Sequence, residues 1–284
     1  NAVAYTKLIT PQDRLNMEQL EQLTTLLKAK KNLILQGAPG TGKTYSTAAL
    51  ALSILEEPNM GAMERKDLMK IYNQKVAEKR IFFTTFHQSM DYEDFVEGLK
   101  PEIVRGDGGK SVGITYEVKD GIFKQVADSA TEGKPVVLII DEINRGNISK
   151  IFGELITLLE KDKRVGEDNA IIVTLPYSKE PFSVPSNLYI IGTMNTTDRS
   201  TGAVDYAIRR RFAFVTLMAD EKLLEVEYPN SLQLFRAVQK FIEKQTTDTL
   251  DMDDLMIGHS YFMTKDLPMA WEYEIRPLLV EYYK

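Results

Sequence analysis

The sequence predicts an α/β fold: a parallel sheet with helices on both faces, followed by a small helical domain. Three observations carry this reading. A glycine-rich loop, Gly37-Ala38-Pro39-Gly40-Thr41-Gly42-Lys43-Thr44, lies between a short apolar run and a helical pattern. Further apolar runs alternate with helical segments, as parallel sheets require. After about residue 218 the strand signal stops and only helical patterns continue.

The elements follow in chain order. Thr10-Pro11-Gln12-Asp13 suits a helix start, with Thr10 as cap, Pro11 in the first helical position and Asp13 in the first turn. Leu20, Leu23 and Leu27 repeat at helical spacing, and Lys30-Lys31 close the helix. Leu33-Ile34-Leu35 reads as a strand, and Ala48 to Leu55 as the helix after the glycine loop. Ile81 to Thr85, Val136 to Ile140 and Leu188 to Gly192 read as buried strands, and Phe212 to Leu217 as a fourth. Glu64 to Glu78, Ser149 to Glu160 and Ala203 to Arg209 read as helices between them. Two hairpins interrupt the alternation: Ile103 to Val118 around Gly106-Asp107-Gly108-Gly109, and Ile171 to Val184 through Pro176-Tyr177-Ser178. Leu232 to Lys244 and Pro268 to Tyr283 read as helices of the last part. The expected division is 1–218 for the α/β domain and 219–284 for the helical one.

Composition narrows the chemistry. The 284 residues include 35 basic and 41 acidic ones, a formal charge of −6. With 43% hydrophobic and 27% charged residues the chain can build a sizeable core, which excludes wholesale disorder. It has no cysteine, so disulfide scaffolds and cysteine-ligated metal sites are excluded. Only His87 and His259 are available as imidazoles, too few for a histidine-rich metal site. No apolar run is long enough to span a membrane and no signal peptide is visible, so the expected location is the cytoplasm. The net acidity argues against a simple basic DNA-coating protein but leaves room for a local basic patch. The chain opens on Asn1 rather than Met, which suits a piece of a longer protein.

Gly37-x-x-x-x-Gly42-Lys43-Thr44 fits the P-loop pattern without a mismatch. Glycines let backbone N–H groups turn inward around phosphate oxygens, and the following helix presents its positive end. Lys43 then supplies a point charge to the β and γ phosphates, and Thr44 a hydroxyl ligand for Mg²⁺. The run Val136 to Ile140 delivers Asp141 and Glu142 where α/β sites form. Alone, such a pair is often just a strand end meeting solvent. Beside a P-loop, Asp141 is the expected Mg²⁺ residue and Glu142 the group that polarises an attacking water. From Lys43 to Asp141 is 98 positions, so the two site strands are not consecutive. No Asn/Thr-Lys-x-Asp guanine motif is present: in Thr264-Lys265-Asp266 the Asp comes one place early.

Asn195, in Met194-Asn195-Thr196-Thr197-Asp198-Arg199-Ser200, follows the strand Leu188 to Gly192 and could reach between a γ-phosphate and Glu142. The same residues are good turn chemistry, and both readings can hold. Arg209-Arg210-Arg211 ends a helix, where basic residues ordinarily neutralise the dipole. In a ring NTPase that place supplies an arginine to the neighbouring subunit, so the choice depends on oligomerisation. His87 reads as a hydrogen-bonded structural residue, and Phe82, Phe83 and Phe86 as core.

Together these motifs resemble an AAA+ ATPase core with a helical lid. Phe86 to Phe95, Asp141-Glu142-Ile143-Asn144-Arg145-Gly146-Asn147, Met194 to Ser200, Val204 to Phe212 and Ile257-Gly258-His259-Ser260-Tyr261-Phe262 narrow the resemblance to the McrB-like motors of modification-dependent restriction systems. The resemblance implies GTP in preference to ATP, Mg²⁺, a homo-hexameric ring, a McrC-like nuclease and activator as partner, and DNA engaged through the assembled complex. It implies that the loop Gly37 to Thr44 holds phosphate, that Asp141 and Glu142 are the Walker B pair, and that Asn195 and Asp198 organise the catalytic water. It further implies that Arg210, with Arg209 or Arg211, acts in trans, and that His259 and Ser260 sit where the lid approaches the nucleotide. Asn144 and Asn147 fall in a signature tied to activator coupling. ATP use stays open, and no residues remain for target recognition or DNA cleavage. A protein-remodelling AAA+ chaperone is the alternative class, and a nucleotide-dependent assembly module a third.

Overall fold

A computed structural model describes residues 6–8, 17–57, 63–105, 111–131, 133–197, 204–225, 227–245 and 256–282. Among the described residues the strands are β1 (Thr6–Leu8), β2 (Asn32–Gly37), β3 (Ile81–Thr85), β4 (Glu97–Arg105), β5 (Ser111–Asp120), β6 (Val136–Asp141), β7 (Val173–Thr174), β8 (Pro181–Phe182), β9 (Leu188–Asn195) and β10 (Ala213–Leu217). Six of them form one parallel sheet in the order β1-β10-β2-β9-β6-β3. The phosphate-loop strand β2 and the Asp-Glu strand β6 are not consecutive in the chain, as expected, since β3 intervenes; in the sheet they are also separated, but not by β3, which lies at the edge. The strand between them in the sheet is β9, which carries Asn195.

Side-chain alternation sorts the core into two layers, because successive residues of a strand face opposite sides. Leu33 and Leu35 of β2, Val137 and Ile139 of β6 and Ile191 of β9 pack with α1 (Met17–Lys30), α2 (Lys43–Ile54) and α3 (Arg65–Ala77). Leu20, Leu23 and Leu27 supply the buried face of α1. Ile34, Leu138, Ile140 and Ile190 face the other way. They meet α4 (Tyr92–Phe95), α5 (Ile122–Ala130) and α6 (Ile148–Phe152) around Phe86, Phe95, Phe123 and Phe152. These rings pack edge-on, stacked or tilted, with centroids 4.9–6.4 Å apart.

Several expectations are refined. The segment expected as one helix from Ser149 to Glu160 is α6 followed by a 3-10 stretch, Gly153–Leu159. Gly153 breaks the helix because it sits at φ 53°, with the Tyr92 ring about 3.0 Å from where its side chain would begin. Helix α7 (Tyr206–Arg209) is shorter than expected, since Asp205 caps it by accepting from Ile208 N at 3.0 Å. The first hairpin extends from Glu97 to Asp120, beyond the expected bounds. The second has strands of only two residues, β7 and β8. Its turn is fastened by the buried Glu97, whose Oε1 accepts from Tyr177 N at 2.8 Å and Ser178 N at 3.1 Å. Neither β1 nor α5 is foreseen by the sequence reading, although Phe123, Val126, Ala127 and Ala130 on α5 have helical spacing. Phe86 is core, but Phe83 is not: it is 46% exposed, because β3 is the sheet edge and the layer over Ile81 does not extend across it. His87 is hydrogen-bonded to Ser89 Oγ at 2.9 Å. The expected start of α1 at Thr10, the glycine tip of the first hairpin and Asp198 lie outside the described residues.

After β10 come α8 (Lys222–Glu225) and α9 (Pro229–Gln245). A final helical run passes from Leu267–Ala270 through a π turn, Trp271–Ile275, to Arg276–Tyr282. Leu224, Phe235, Ile242, Ile257, Phe262 and Ile275 form their own apolar cluster here. Among the described residues no helix is long and apolar enough to cross a membrane.

Candidate nucleotide site at the carboxyl ends of the strands

The site begins where β2 ends. Gly42 takes φ 82°, a left-handed conformation that suits glycine, and so turns the loop into the first turn of α2. Lys43 is buried and donates to the carbonyls of Gly37 at 2.9 Å and Ala38 at 2.7 Å. Burial lowers its ammonium to about 8, against a weaker opposite pull from Glu142 and Asp141. Thr41 is also buried and donates to Ala38 O at 3.0 Å.

The parallel register sets the rest. Asp141 follows Ile140, which pairs with Gly192, so Thr193 of β9 arrives beside Asp141. Asp141 Oδ1 accepts from Thr44 at 2.9 Å and from Thr193 at 2.5 Å. Thr193 Oγ1 also accepts from the N–H of Glu142 at 3.2 Å. Glu142 sits at φ 51°, a left-handed conformation that costs a residue with a Cβ roughly 1–2 kcal/mol. The turn brings its Oε1 within 2.7 Å of Asn195 Nδ2. Arg145 Nε stands 3.3 Å from the other carboxylate oxygen. Asn144 reaches back to Asn195 O at 3.3 Å. Strain at a catalytic-type carboxylate, held by two neighbouring strands, is the pattern expected of a preorganised site.

Sequence reasoning placed Lys43, Thr44, Asp141, Glu142 and Asn195 in one site, and all five converge here. It missed Thr193, which joins Asp141 to Glu142. The signal was available: Thr193 is two residues before Asn195, so both project from the same face of β9.

The chemistry of the donors suits Mg²⁺. Thr44 and Asp141 offer hard oxygens beside a phosphate loop, and Mg²⁺ commonly takes one or two protein oxygens while phosphates and water complete the shell. Among the described residues no group of three or more His, Asp or Glu side chains forms a cage of its own.

The lid reaches the same loop. Gly258 N donates to Pro39 O at 2.9 Å and Ser260 N to Gly40 O at 3.1 Å. A Cβ at Gly258 would stand 2.0 Å from the Gly40 carbonyl carbon, so only glycine permits this approach. His259 is buried, and its Nδ1 accepts from Asp220 N at 3.2 Å. That bond leaves the proton of the neutral ring on Nε2, which faces Gly42. Burial lowers the His259 imidazole to about 4, so it is neutral at ordinary pH. The sequence reading found His259 and Ser260 but not Gly258, whose role depends on a contact more than 200 residues away in the chain.

The three arginines lie elsewhere. Ala213 of β10 pairs with Leu33 of β2, so Arg209 to Arg211 come before the start of that strand. Four residues of strand, about 13 Å, separate Leu33 from Gly37, which puts these arginines at the opposite end of the strands from the phosphate loop. Arg209 donates to Val204 O at 3.2 Å and lies over the Phe214 ring. The Arg211 side chain is only 7% exposed and donates to Ala207 O at 2.8 Å. Arg210, at 66%, is the outward one.

Two family models and several known proteins match this chain. The AAA domain (dynein-related subfamily) model matches residues 32–212, and the model of the McrB alpha-helical lid domain matches residues 230–284. The chain is 36% identical over 289 residues to the Type IV methyl-directed restriction enzyme EcoKMcrB subunit of Escherichia coli (strain K12), covering 93% of this chain and 56% of that protein. It is 27% identical over 224 residues to the Type II restriction enzyme BsuMI component YdiS of Bacillus subtilis (strain 168), covering 69% and 59%. It is 25% identical over 253 residues to Cell division control protein 48 homolog B of Arabidopsis thaliana, covering 87% and 32%. The chain thus spans less than two thirds of each relative's length. With a family match running from the start of β2 to Phe212 and a lid match behind it, the chain belongs to the AAA domain family, in its dynein-related subfamily, and is a McrB-like member with a McrB-type lid.

Proposed function

We propose that this chain is the NTP-hydrolysing ring motor of a McrBC-type DNA restriction complex, with GTP preferred to ATP. The observation that carries the reading is the wiring of Glu142: a strained carboxylate held by Asn195, beside Asp141, Thr44 and the phosphate loop. Similarity to two restriction-system proteins supports the biological setting. The hydrolytic roles follow. Lys43 and the loop from Gly37 to Thr44 hold the β and γ phosphates. Glu142 polarises the attacking water, and Asn195 with Asp198 orients it. Thr44 and Asp141 hold Mg²⁺, which when bound offsets charge on the phosphate oxygens. His259 and Ser260 contact the nucleotide from the lid. Arg210, flanked by Arg209 and Arg211, completes the site of the next subunit in a homo-hexamer. The division falls at 218, with 1–218 as motor core and 219–284 as lid. The partner is a McrC-like nuclease and activator, DNA is engaged through the assembled complex, and the setting is cytoplasmic.

Nucleotide competition tests the reading. Hydrolysis of labelled GTP is expected to persist under an excess of unlabelled ATP. Efficient competition by ATP, with faster ATP turnover, would contradict the GTP assignment.

A further inference from the structure

The end of the strands away from the phosphate loop holds a second polar cluster. Arg164 is completely buried, and no carboxylate forms an ion pair with it among the described residues. Its guanidinium donates to Asn32 Oδ1 at 2.6 Å, to Pro185 O at 3.3 Å and to Leu188 O. Burial lowers it to about 9. An isolated buried charge is costly unless hydrogen-bonded, and here backbone carbonyls do the bonding. The planar fork of arginine suits that task, since its donors point in fixed directions.

Asn32 passes the constraint on. Its Nδ2 donates to Leu159 O at 2.8 Å and to Arg211 O at 2.9 Å. One amide therefore fixes the backbone beside Glu160 and the backbone beside Arg210. Glu160 closes the circuit: its Oε1 lies 2.7 Å from Arg210 Nη2 and 2.7 Å from Arg211 Nη2. Arg210 is thereby held from behind while most of its side chain faces outward.

We infer that Glu160, anchored through Asn32 and Arg164, is the positioning residue that presents Arg210 to the neighbouring subunit. The inference rests on the proposal that Arg210 acts in trans. It adds that the aim of Arg210 is set by this chain's own cluster at the start of β2 and does not wait for the neighbour. Glu160 lies by the start of β2, at the other end of that strand from the phosphate loop, so its removal is expected to act on kcat and not on nucleotide affinity.

The test uses the full chain. Glu160→Ala is expected to lower kcat roughly tenfold to a hundredfold, the size of effect that a misplacement of about 1 Å can have. KM should change little; the melting temperature should fall, because the nearly buried Arg211 loses its carboxylate partner, and the mixing experiment separates that loss of stability from the aim of Arg210. Glu160→Gln, which keeps an oxygen acceptor, should recover part of the loss. The decisive readout is mixing. Lys43→Ala subunits are inactive in their own sites but carry a correctly held Arg210. Adding them should raise turnover per Glu160→Ala subunit. An unchanged or raised kcat in Glu160→Ala overturns the inference. So does a loss that added Lys43→Ala subunits cannot relieve, provided they do relieve Arg210→Ala. Failure to relieve Arg210→Ala, or full turnover by Arg210→Ala alone, sinks the trans-arginine reading itself and this inference with it.

Discussion

The two ends of β2 present opposite arrangements of charge. At Gly37 the chain satisfies itself: Lys43 rests on two loop carbonyls, Thr44 and Thr193 on Asp141, and Asn195 on Glu142. At Asn32 a buried cation, Arg164, is spread over carbonyls, and the cluster ends in an exposed arginine that has one carboxylate behind it. The first end is preorganised to receive a ligand. In the proposed function the second presents a side chain to a neighbour. One strand joins the two ends, so on that proposal the fold links the pocket a subunit uses to the arginine it would offer. The assembly that the proposal calls for is a heterologous ring interface, in which every subunit gives one surface and receives the other.

Breaking the receiving end has the largest expected effect. Glu142→Ala should still bind nucleotide while turnover falls by on the order of a hundredfold to a thousandfold or more, the range for losing a general base with its transition-state contacts. Equilibrium binding of a fluorescent nucleotide alongside a phosphate-release assay separates the two. Normal turnover in this variant would remove Glu142 from the mechanism.

The lid contact sharpens the comparison through pH. The His259 imidazole has its acidity shifted from the ordinary 6.5 to about 4 by burial. Between those values the unfolded chain binds a proton that the folded chain refuses, so stability falls as pH drops from 6.5 towards 4. The loss approaches roughly 3 kcal/mol at the lower limit, at about 1.4 kcal/mol per pKa unit. Asp220, which faces His259, works in the other direction, because burial raises its carboxyl. Denaturation curves of the wild type and His259→Gln at pH 7 and pH 5 isolate the histidine. The wild type should lose more stability on acidification than the variant; equal losses would show that His259 is not the titrating group.

What was legible in the sequence divides along the same strand. The loop from Gly37 to Thr44 was readable because its function demands a local backbone shape, and local shape demands glycine at fixed spacing. Asp141, Glu142 and Asn195 were readable because each closes an apolar run. Thr193 required the register between β6 and β9, which no single run displays. Arg164 and Asn32 are 132 residues apart, and nothing near either marks it as buried or paired. The helix expected from Ser149 to Glu160 breaks at Gly153, whose φ of 53° leaves helical geometry whatever the periodicity of its neighbours. Local chemistry was therefore visible, and chemistry assembled by strand order was not.

In the proposed function a working hydrolytic site is shared between two copies of the chain. Lys43→Ala and Arg210→Ala subunits should each be inactive alone. Mixed in equal amounts, they should regain turnover of up to about a quarter of wild type, because in a randomly assembled ring that fraction of interfaces pairs an intact Lys43 with a neighbour's intact Arg210. No recovery in mixed assemblies of the same size as the wild type would mean that Arg210 does not serve the neighbour's site and that the site is not shared between subunits.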